Sequence, residues 1–396
     1  KVDAIRHNSA TSDAITTAAD GTCTAKITGM TGGGALSHRN LIVNGAMDVA
    51  QRGQVTGLGH ASGGAGGGFG GPDRFAFYSN YSIVTMSQST DVPSGQGFAK
   101  SLKLDVTTAG GDSNADTYTQ LDYRFEGQEL TRLKYGTSDA ETTTISFWIK
   151  SPKAGIHWVR LYGDELSGYA FISRKYTVTS ANTWQKVILS FPGYTGSGFN
   201  NDNTLGMRIS IYFAQGSAYS SGTAQADDGG WLSWTESAAV RSRNTVGQVN
   251  CFDSTSNDIF ITGVQFEVGD TATSFEFRNV GEELSRCQRY YQQYVNPCCT
   301  GVIPDNSSKA YSIGLQFQTR MRAVPTLTIT NAGSGQNVHD GQSGADIASL
   351  NAADRNVDGA SIYLNLDSDL GNFRPATLGR NDQTTNTTTY KFSAEL

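Results

Sequence analysis

The sequence predicts an all-β chain of more than one domain, built around an antiparallel sandwich. Three observations predict it. The composition is poor in charge (17%) and in hydrophobic residues (37%) yet holds 46 glycines, the mixture that short strands with polar outer faces and many turns produce. Strand-like runs follow one another closely through residues 40–279 and resume after 301. The links between them, such as 57–71 and 193–206, are rich in Gly and Asn and read as loops. The 396 residues suffice for two or three domains with more than one core.

Residues 1–39 come in short pieces ("KVDAIRHN", "SDAITTAADG", "TCTAKITGMTGGG"), each a few β-favouring residues closed by Asn, Asp-Gly or a Gly run. No piece can bury a face alone. The segment reads either as a flexible tail or as strands ordered by pairing with copies of itself or with a docking partner. Residues 40–279 carry the main series of strands. In "TISFWIK", Ile145, Phe147 and Ile149 share one face, and in "WQKVILSF", Trp184, Val187, Leu189 and Phe191 almost do. Trp184 is therefore expected in the core, with Trp148 left open. The series predicts an antiparallel sandwich.

Residues 280–300 change character. "GEELSRCQRYY" favours a helix, with Asn279 as its cap, although "YYQQYV" could equally start a strand. Leu284, Cys287, Tyr291 and Tyr294 fall at coiled-coil spacing and are candidates for an oligomer seam, or for a stripe packed on the chain's own domain. Residues 301–396 form a second, smaller β domain ("AYSIGLQFQ", "VPTLTIT", "ASIYLNLD", "TTYKFSAEL").

The formal charge of −6 argues against a nucleic-acid partner. No run has the apolar length of a membrane span, and the amino end lacks a signal-peptide layout. The five Cys are scattered rather than framed for disulfides; adjacent Cys298 and Cys299 read as free thiols, since a bond between neighbours is strained. The five His are spread singly, without zinc spacing. No GxSxG elbow occurs, and the Gly run at 63–71 lacks the Lys-Ser/Thr of a phosphate loop. Asn-x-Ser/Thr triplets at Asn306 and Asn386 indicate only polar loops.

"NLIVNGAMD" at 40–48 resembles the opening strand of carbohydrate-binding jelly rolls, and "IFITGVQFEVG" resembles the closing strand that returns beside it. The resemblance implies that 40–279 is one galactose-binding-like jelly roll. Such domains often hold a structural calcium. Asp48 sits near the first ligand position, but Thr262 and Gly263 stand where the closing strand's acid is expected, and a calcium ion needs six or more oxygens.

A longer resemblance runs through "KVDAIRHNSATSDAITTAADGTCTAKITG", "RNLIVNGAMDVAQRG", "VTSANTWQKVILSFPG", "IFITGVQFEVGDTATSFEFRNVGEELSRCQRYY" and "RMRAVPTLTIT". It is similar to the tail-fibre or virion-fibre proteins of bacteriophages, especially those of aquatic bacteria. That implies a structural, non-enzymatic virion protein, assembled in the infected cell and exposed on the particle. It also implies a homotrimer that attaches to other virion proteins through residues 1–39 and binds a host surface glycan. On that polarity the C-terminal domain is the distal, adhesive tip. A virion decoration or joining protein and a surface-polysaccharide hydrolase are the alternatives. No cofactor, nucleic-acid contact or membrane insertion is expected.

Sugar binding needs flat apolar rings beside polar or charged partners. Aromatics in or beside expected loops are the candidates: Tyr162, Tyr169, Tyr194, Phe199, Tyr219, Trp231 and Trp234, with Asp227 and Asp228 beside the two Trp in "AYSSGTAQADDGGWLSWTES". These Trp could equally pack their loop onto the sandwich. Tyr363, Phe373 and Arg374 are the corresponding residues of the C-terminal region. Paired carboxylates at Asp164 and Glu165 or at Asp227 and Asp228 read as solvated turns rather than as a glycosidase pair.

Overall fold

The computed structural model describes residues 38–111, 114–227, 229–234, 238–241, 243–295, 299–304, 308–312, 314–330, 336–340, 343–370, 374–380 and 389–396, together with three short strands near the amino end. Those three, β1 (Ala4–Ile5), β2 (Ile15–Thr17) and β3 (Cys23–Ala25), pair as an antiparallel sheet of their own. The other residues of 1–37, and Asp228, Cys298 and Phe373, lie outside the described residues.

The chain is all-β. Strands β4 (Val55–His60), β5 (Gly67–Phe69), β6 (Phe75–Ser79), β7 (Ser82–Ser89), β8 (Ser101–Thr108) and β9 (Tyr118–Glu126) open the larger domain. They are followed by β10 (Thr143–Lys150), β11 (Gly155–Gly163), β12 (Ala170–Val178), β13 (Trp184–Phe191), β14 (Leu205–Gln215), β15 (Leu232–Ser233) and β16 (Asp258–Val268). They form a six-stranded sheet, β13-β10-β16-β8-β7-β4, and a seven-stranded sheet, β15-β12-β11-β14-β9-β6-β5. The two sheets pack face to face as a β-sandwich. Alternation fills the space between them: Ile145, Phe147 and Ile149 from one sheet meet Leu121, Val159, Leu161 and Ile211 from the other, all nearly or fully buried.

The opening stretch departs from expectation. Residues 40–48 form no strand. They run beside β16, with Leu41 N donating to Phe266 O (2.8 Å) and Val264 N donating to Gly45 O (2.9 Å). Two asparagines hold this corner. Asn40 Oδ1 accepts from Ile42 N and Phe266 N, both at 3.0 Å. Asn44, at φ +62°, accepts from Val49 N (2.9 Å) and donates to Val49 O (2.8 Å) and Asp73 O (3.0 Å). A Cβ on Gly45 would lie 2.1 Å from Val264 O, so only glycine allows the approach. The Asn-Gly pair is thus a packed corner rather than a hairpin turn.

Two further expectations are corrected. The Gly-rich stretch 57–71 holds most of edge strand β4 and all of edge strand β5, one in each sheet. Gly67 (φ +146°) is needed there, because a Cβ would meet Phe77 O at 2.1 Å. Trp184 is half-buried rather than core: it lies on the face opposite Val187, and its Nε1 donates to Asp91 Oδ1 at 2.9 Å.

A helix spans Val280–Gln288, capped by Asn279, and β17 (Tyr291–Val295) follows at once. The break at 289–290 ends any heptad register, so Leu284, Cys287, Tyr291 and Tyr294 form no coiled-coil seam. Cys287 and Leu284 instead pack on Val43 and Val49 of the same chain. Tyr291 is buried beneath the Arg52 guanidinium at 3.6 Å, and Tyr294 packs edge-on against Phe392 at 6.0 Å.

The C-terminal domain continues with β18 (Cys299–Ile303), β19 (Lys309–Ser312), β20 (Leu315–Gln316), β21 (Thr326–Thr330) and β22 (Gln336–His339). It ends with β23 (Gly344–Arg355), β24 (Gly359–Leu366), β25 (Arg374–Arg380) and β26 (Thr389–Ser393). A three-stranded sheet, β17-β26-β21, packs on a seven-stranded sheet, β19-β18-β25-β22-β23-β24-β20, whose β19 also pairs with β24. Their shared core includes Ile303, Val338, Ile347, Leu364, Tyr390 and Phe392. β17 is an edge strand of the three-stranded sheet and pairs with β26, so residues 291–295 of the expected connector contribute a strand to that sheet.

Just after β26 the chain returns to the larger domain. Arg74, fully buried, pairs with Glu395 (2.6 Å) and stacks on Tyr290 (3.3 Å). Arg52 reaches the same carboxylate at 3.2 Å. Arg289 and Tyr290 meanwhile bond Glu126 at 2.6–2.9 Å. A buried guanidinium deprived of its carboxylate is costly. Glu395→Gln is therefore expected to lower unfolding stability by about 3 kcal/mol, read as a reduced urea midpoint; a loss below about 0.5 kcal/mol would show that the pair does not hold the domains together.

Candidate functional site

The site follows from alternation in the seven-stranded sheet. Inward residues of β9, β11 and β14 (Leu121, Tyr123, Val159, Leu161, Ile209, Ile211) fill the sandwich. Their neighbours must then point to the other face, and those neighbours are polar. Pairing sets them in rows across the sheet. Arg160 stands opposite Ser173 on one side and Ser210 on the other, and Ser210 stands opposite Asp122. In the adjoining row Tyr162 stands opposite Phe171 and Arg208, and Arg208 opposite Arg124. On the other side of the first row, Tyr212 stands opposite Gln120, and Gln120 opposite Tyr78.

This floor is walled by the loops between β14 and β16. Tyr219 sits on a single helical turn, Ser217–Ser220, and Trp234 directly follows β15. Trp234 N donates to Gly168 O (3.0 Å) and Thr245 N donates to Tyr219 O (3.0 Å). The two rings stack at 6.1 Å and 19°. Trp234 also stands edge-on to Tyr162 (5.8 Å) and Phe171 (5.4 Å). On the opposite side Arg124 donates to the main-chain oxygen of Leu396. Between these walls lies a cleft of about 230 Å³.

Each guanidinium of the floor lies over a ring: Arg124 over Tyr78 at 4.8 Å, Arg208 over Tyr162 at 4.7 Å, and Arg160 within 4.9–5.2 Å of Tyr162, Tyr212 and Trp234. Arg208 grips Asp164 with two bonds, of 3.0 and 2.7 Å. Burial still outweighs that attraction and raises the Asp164 pKa above its usual value. Burial also raises the pKa of Tyr78, Tyr118, Tyr162, Tyr212 and Tyr219, so at neutral pH their hydroxyls remain protonated donors. Four of the residues that line the cleft each hold a buried polar atom with no hydrogen-bond partner: Asp122 Oδ2, Arg124 Nε, Arg160 Nε and Gln215 Oε1. Native interiors rarely leave such groups unpaired without a ligand or water to take them up.

Of the residues expected from sequence, the structure brings three together here: Tyr162, Tyr219 and Trp234. Tyr162 lies within β11 and not in a loop. Tyr169, 51% exposed, stacks on Tyr162 at 6.2 Å. The others lie elsewhere. Trp231 packs on Tyr135 and Tyr194, and its Nε1 donates to Pro192 O at 2.8 Å; Phe199 stacks on the same Tyr135. Those rings hold the loop to the sandwich. Asp227 makes an exposed ion pair with Lys175 at 3.5 Å. Tyr363, on β24 of the C-terminal domain, bonds Asp354 and packs edge-on against Tyr311. Arg374 begins β25, and its side chain lies outside the described residues.

Asp48 neighbours Glu283, and burial together with that negative charge raises its pKa. Among the described residues no group of three His, Cys, Asp or Glu is placed to hold a metal. None of the described helices is long and apolar enough to cross a membrane.

Sequence reading missed Tyr78, Tyr118, Gln120, Asp122, Arg124, Arg160, Arg208 and Tyr212. For Gln120, Asp122, Arg124, Arg160 and Arg208 the signal was present as Arg, Asp or Gln at alternate positions of otherwise apolar strands: "TQLDYRF", "WVRLYG" and "MRISIYF".

No protein-family model matches the chain, and no curated protein matches it. Among solved structures it is similar to the enzymatically active domain of tailspike protein 4 of bacteriophage CBA120, with a TM-score of 0.28 and 13% identity over 58% of this chain. The chain spans only 21% of that tailspike's length. It is also similar to a protein of Bacteroides thetaiotaomicron described as a "putative sugar binding protein", with a TM-score of 0.28 and 11% identity over 58% of this chain and 100% of the other. The CBM22-1 xylan-binding domain of Paenibacillus barcinonensis gives a TM-score of 0.25 and 12% identity over 59% and 96%.

Removing the Arg208 charge would leave Asp164 partly buried and unpaired. Its carboxyl pKa, already raised in the folded state, would rise further, and stability tied to its protonated form is lost as pH climbs from the unfolded value towards the folded one. Arg208→Gln is expected to cost roughly 2 kcal/mol at pH 7 and clearly less at pH 4, measured by urea unfolding at both values. An equal loss at both would show that the pair carries no charge-dependent stability.

Proposed function

We propose that this chain is a non-enzymatic, glycan-binding fibre protein of a bacteriophage virion, and that the cleft on the seven-stranded sheet is its sugar site. The observation that carries the binding reading is the floor itself: guanidinium groups, a carboxylate and an amide sit among aromatic rings, with buried donors and acceptors that have no hydrogen-bond partner. Rings offer faces on which a pyranose can lie, and unpaired polar atoms fix its hydroxyls. A neutral apolar ligand would leave those polar atoms desolvated and unsatisfied.

The virion assignment rests on the long sequence resemblance to phage fibres, as do the homotrimer, the docking role of residues 1–39 and exposure on the particle. We place the adhesive site in the larger domain rather than at the C-terminal tip, because the cleft lies on the seven-stranded sheet. An open site on a sheet surface buries part of a sugar, so single-site affinity is weak and repeated sites on a particle supply avidity.

Glycan-array screening followed by calorimetry tests the reading. Trp234→Ala is expected to weaken binding of whichever glycan is retained by tenfold or more, about 1.4 kcal/mol. It should leave the melting temperature within a few degrees. Unchanged affinity would remove the cleft from the site. Absence of any glycan binding would favour the decoration reading, and release of reducing ends from host polysaccharide would favour hydrolysis.

A further inference from the structure

We propose that the cleft selects an acidic glycan and that Arg160 receives its sugar carboxylate; this rests on the glycan-binding reading above. The cleft and its rim hold three guanidinium groups and two carboxylates, and the pairing is uneven. Arg208 takes both oxygens of Asp164. Arg124 lies 4.0 Å from Asp122 and also donates to Leu396 O. Arg160 has no ion pair among the described residues, although it is only 6% exposed and its Nε is buried without a hydrogen-bond partner. Asp164 is near enough to feel the Arg160 charge, but its oxygens are already engaged.

Three rings surround the Arg160 guanidinium: Tyr162, Tyr212 and Trp234. Ring faces soften the burial of a cation, but they do not use its in-plane N–H donors. Those donors form a planar fork that matches a carboxylate. Arg160 lines the open cleft, so an anion entering from solvent can reach it without rearrangement of the sheet. Asp122, on the same register row, has no hydrogen-bond partner at its Oδ2, which lies 4.0 Å from Arg124, and it would accept a hydroxyl from the same sugar. A carboxylate of the uronic acid class, flanked by ring hydroxyls, fits this pair of groups.

The test uses the full chain and bacterial surface polysaccharides that contain uronic acid, each compared with its carboxyl-reduced form, which is neutral but otherwise alike. Wild type is expected to bind the acidic form at least tenfold more tightly, with affinity falling as salt rises. Arg160→Met should remove most of that preference, weakening the acidic form at least tenfold more than the reduced form. It should also raise the melting temperature or leave it unchanged, since it removes an unpaired buried cation. Arg160→Lys should retain part of the preference. Equal binding of acidic and reduced forms by wild type would overturn the inference while leaving the glycan reading intact. Binding confined to phosphodiester-linked polymers would overturn the carboxylate assignment. A marked fall in the melting temperature of Arg160→Met would also overturn the inference, by showing that the cation holds the fold. If no glycan of any kind binds, the underlying reading fails with it.

Discussion

Strand alternation is the constraint on which this structure depends. A sandwich needs one apolar face from each sheet, and period-two geometry then dictates what the other face carries. In β9, β11 and β14 the inward residues are Leu, Ile, Val, Met and aromatics, and the outward ones include Arg124, Arg160, Arg208, Asp122 and Gln120. A one-residue slip in any of these strands would bury arginines in the sandwich and expose its core. Fold register and site composition are therefore the same fact.

Two further devices hold the frame in which that face works. The Asn40–Gly45 corner fixes the opening segment against β16 through side-chain bonds to main-chain groups and one glycine-only approach. The Arg74–Glu395 pair returns the end of the C-terminal domain to the larger one, and the next residue, Leu396, meets Arg124 beside the cleft. The C-terminal domain thus helps to border the site without supplying its chemistry.

Much of the fold was legible in the sequence, and the reasons are local. "TISFWIK" and "IFITGVQFEV" announce strands by alternation and β-branched content, and they became β10 and β16. The helix at 280–288 was legible from Asn279 and its acidic first turn. The coiled-coil spacing misled because a helix of under three turns passes directly into β17, so Tyr291 and Tyr294 obey strand geometry. The site was legible only in part. Tyr219 and Trp234 stood out as loop aromatics. Arg160 did not, because a lone arginine in "HWVRLYG" declares its role only when its register partners are known. Trp231 and Trp234 are three residues apart, yet one packs the loop onto the sandwich and the other faces the cleft, a distinction that depends on how the loop closes over the sheet.

The most direct measurement is a crystal structure of the full chain with an oligosaccharide that binds it on a glycan array. Sugar rings are expected along the seven-stranded sheet, against Trp234 and Tyr219, with polar contacts to Asp122 and to the arginines of the floor. Sugar seated only on the C-terminal domain, or on the outer face of the six-stranded sheet with the cleft empty, would contradict the assignment of the site.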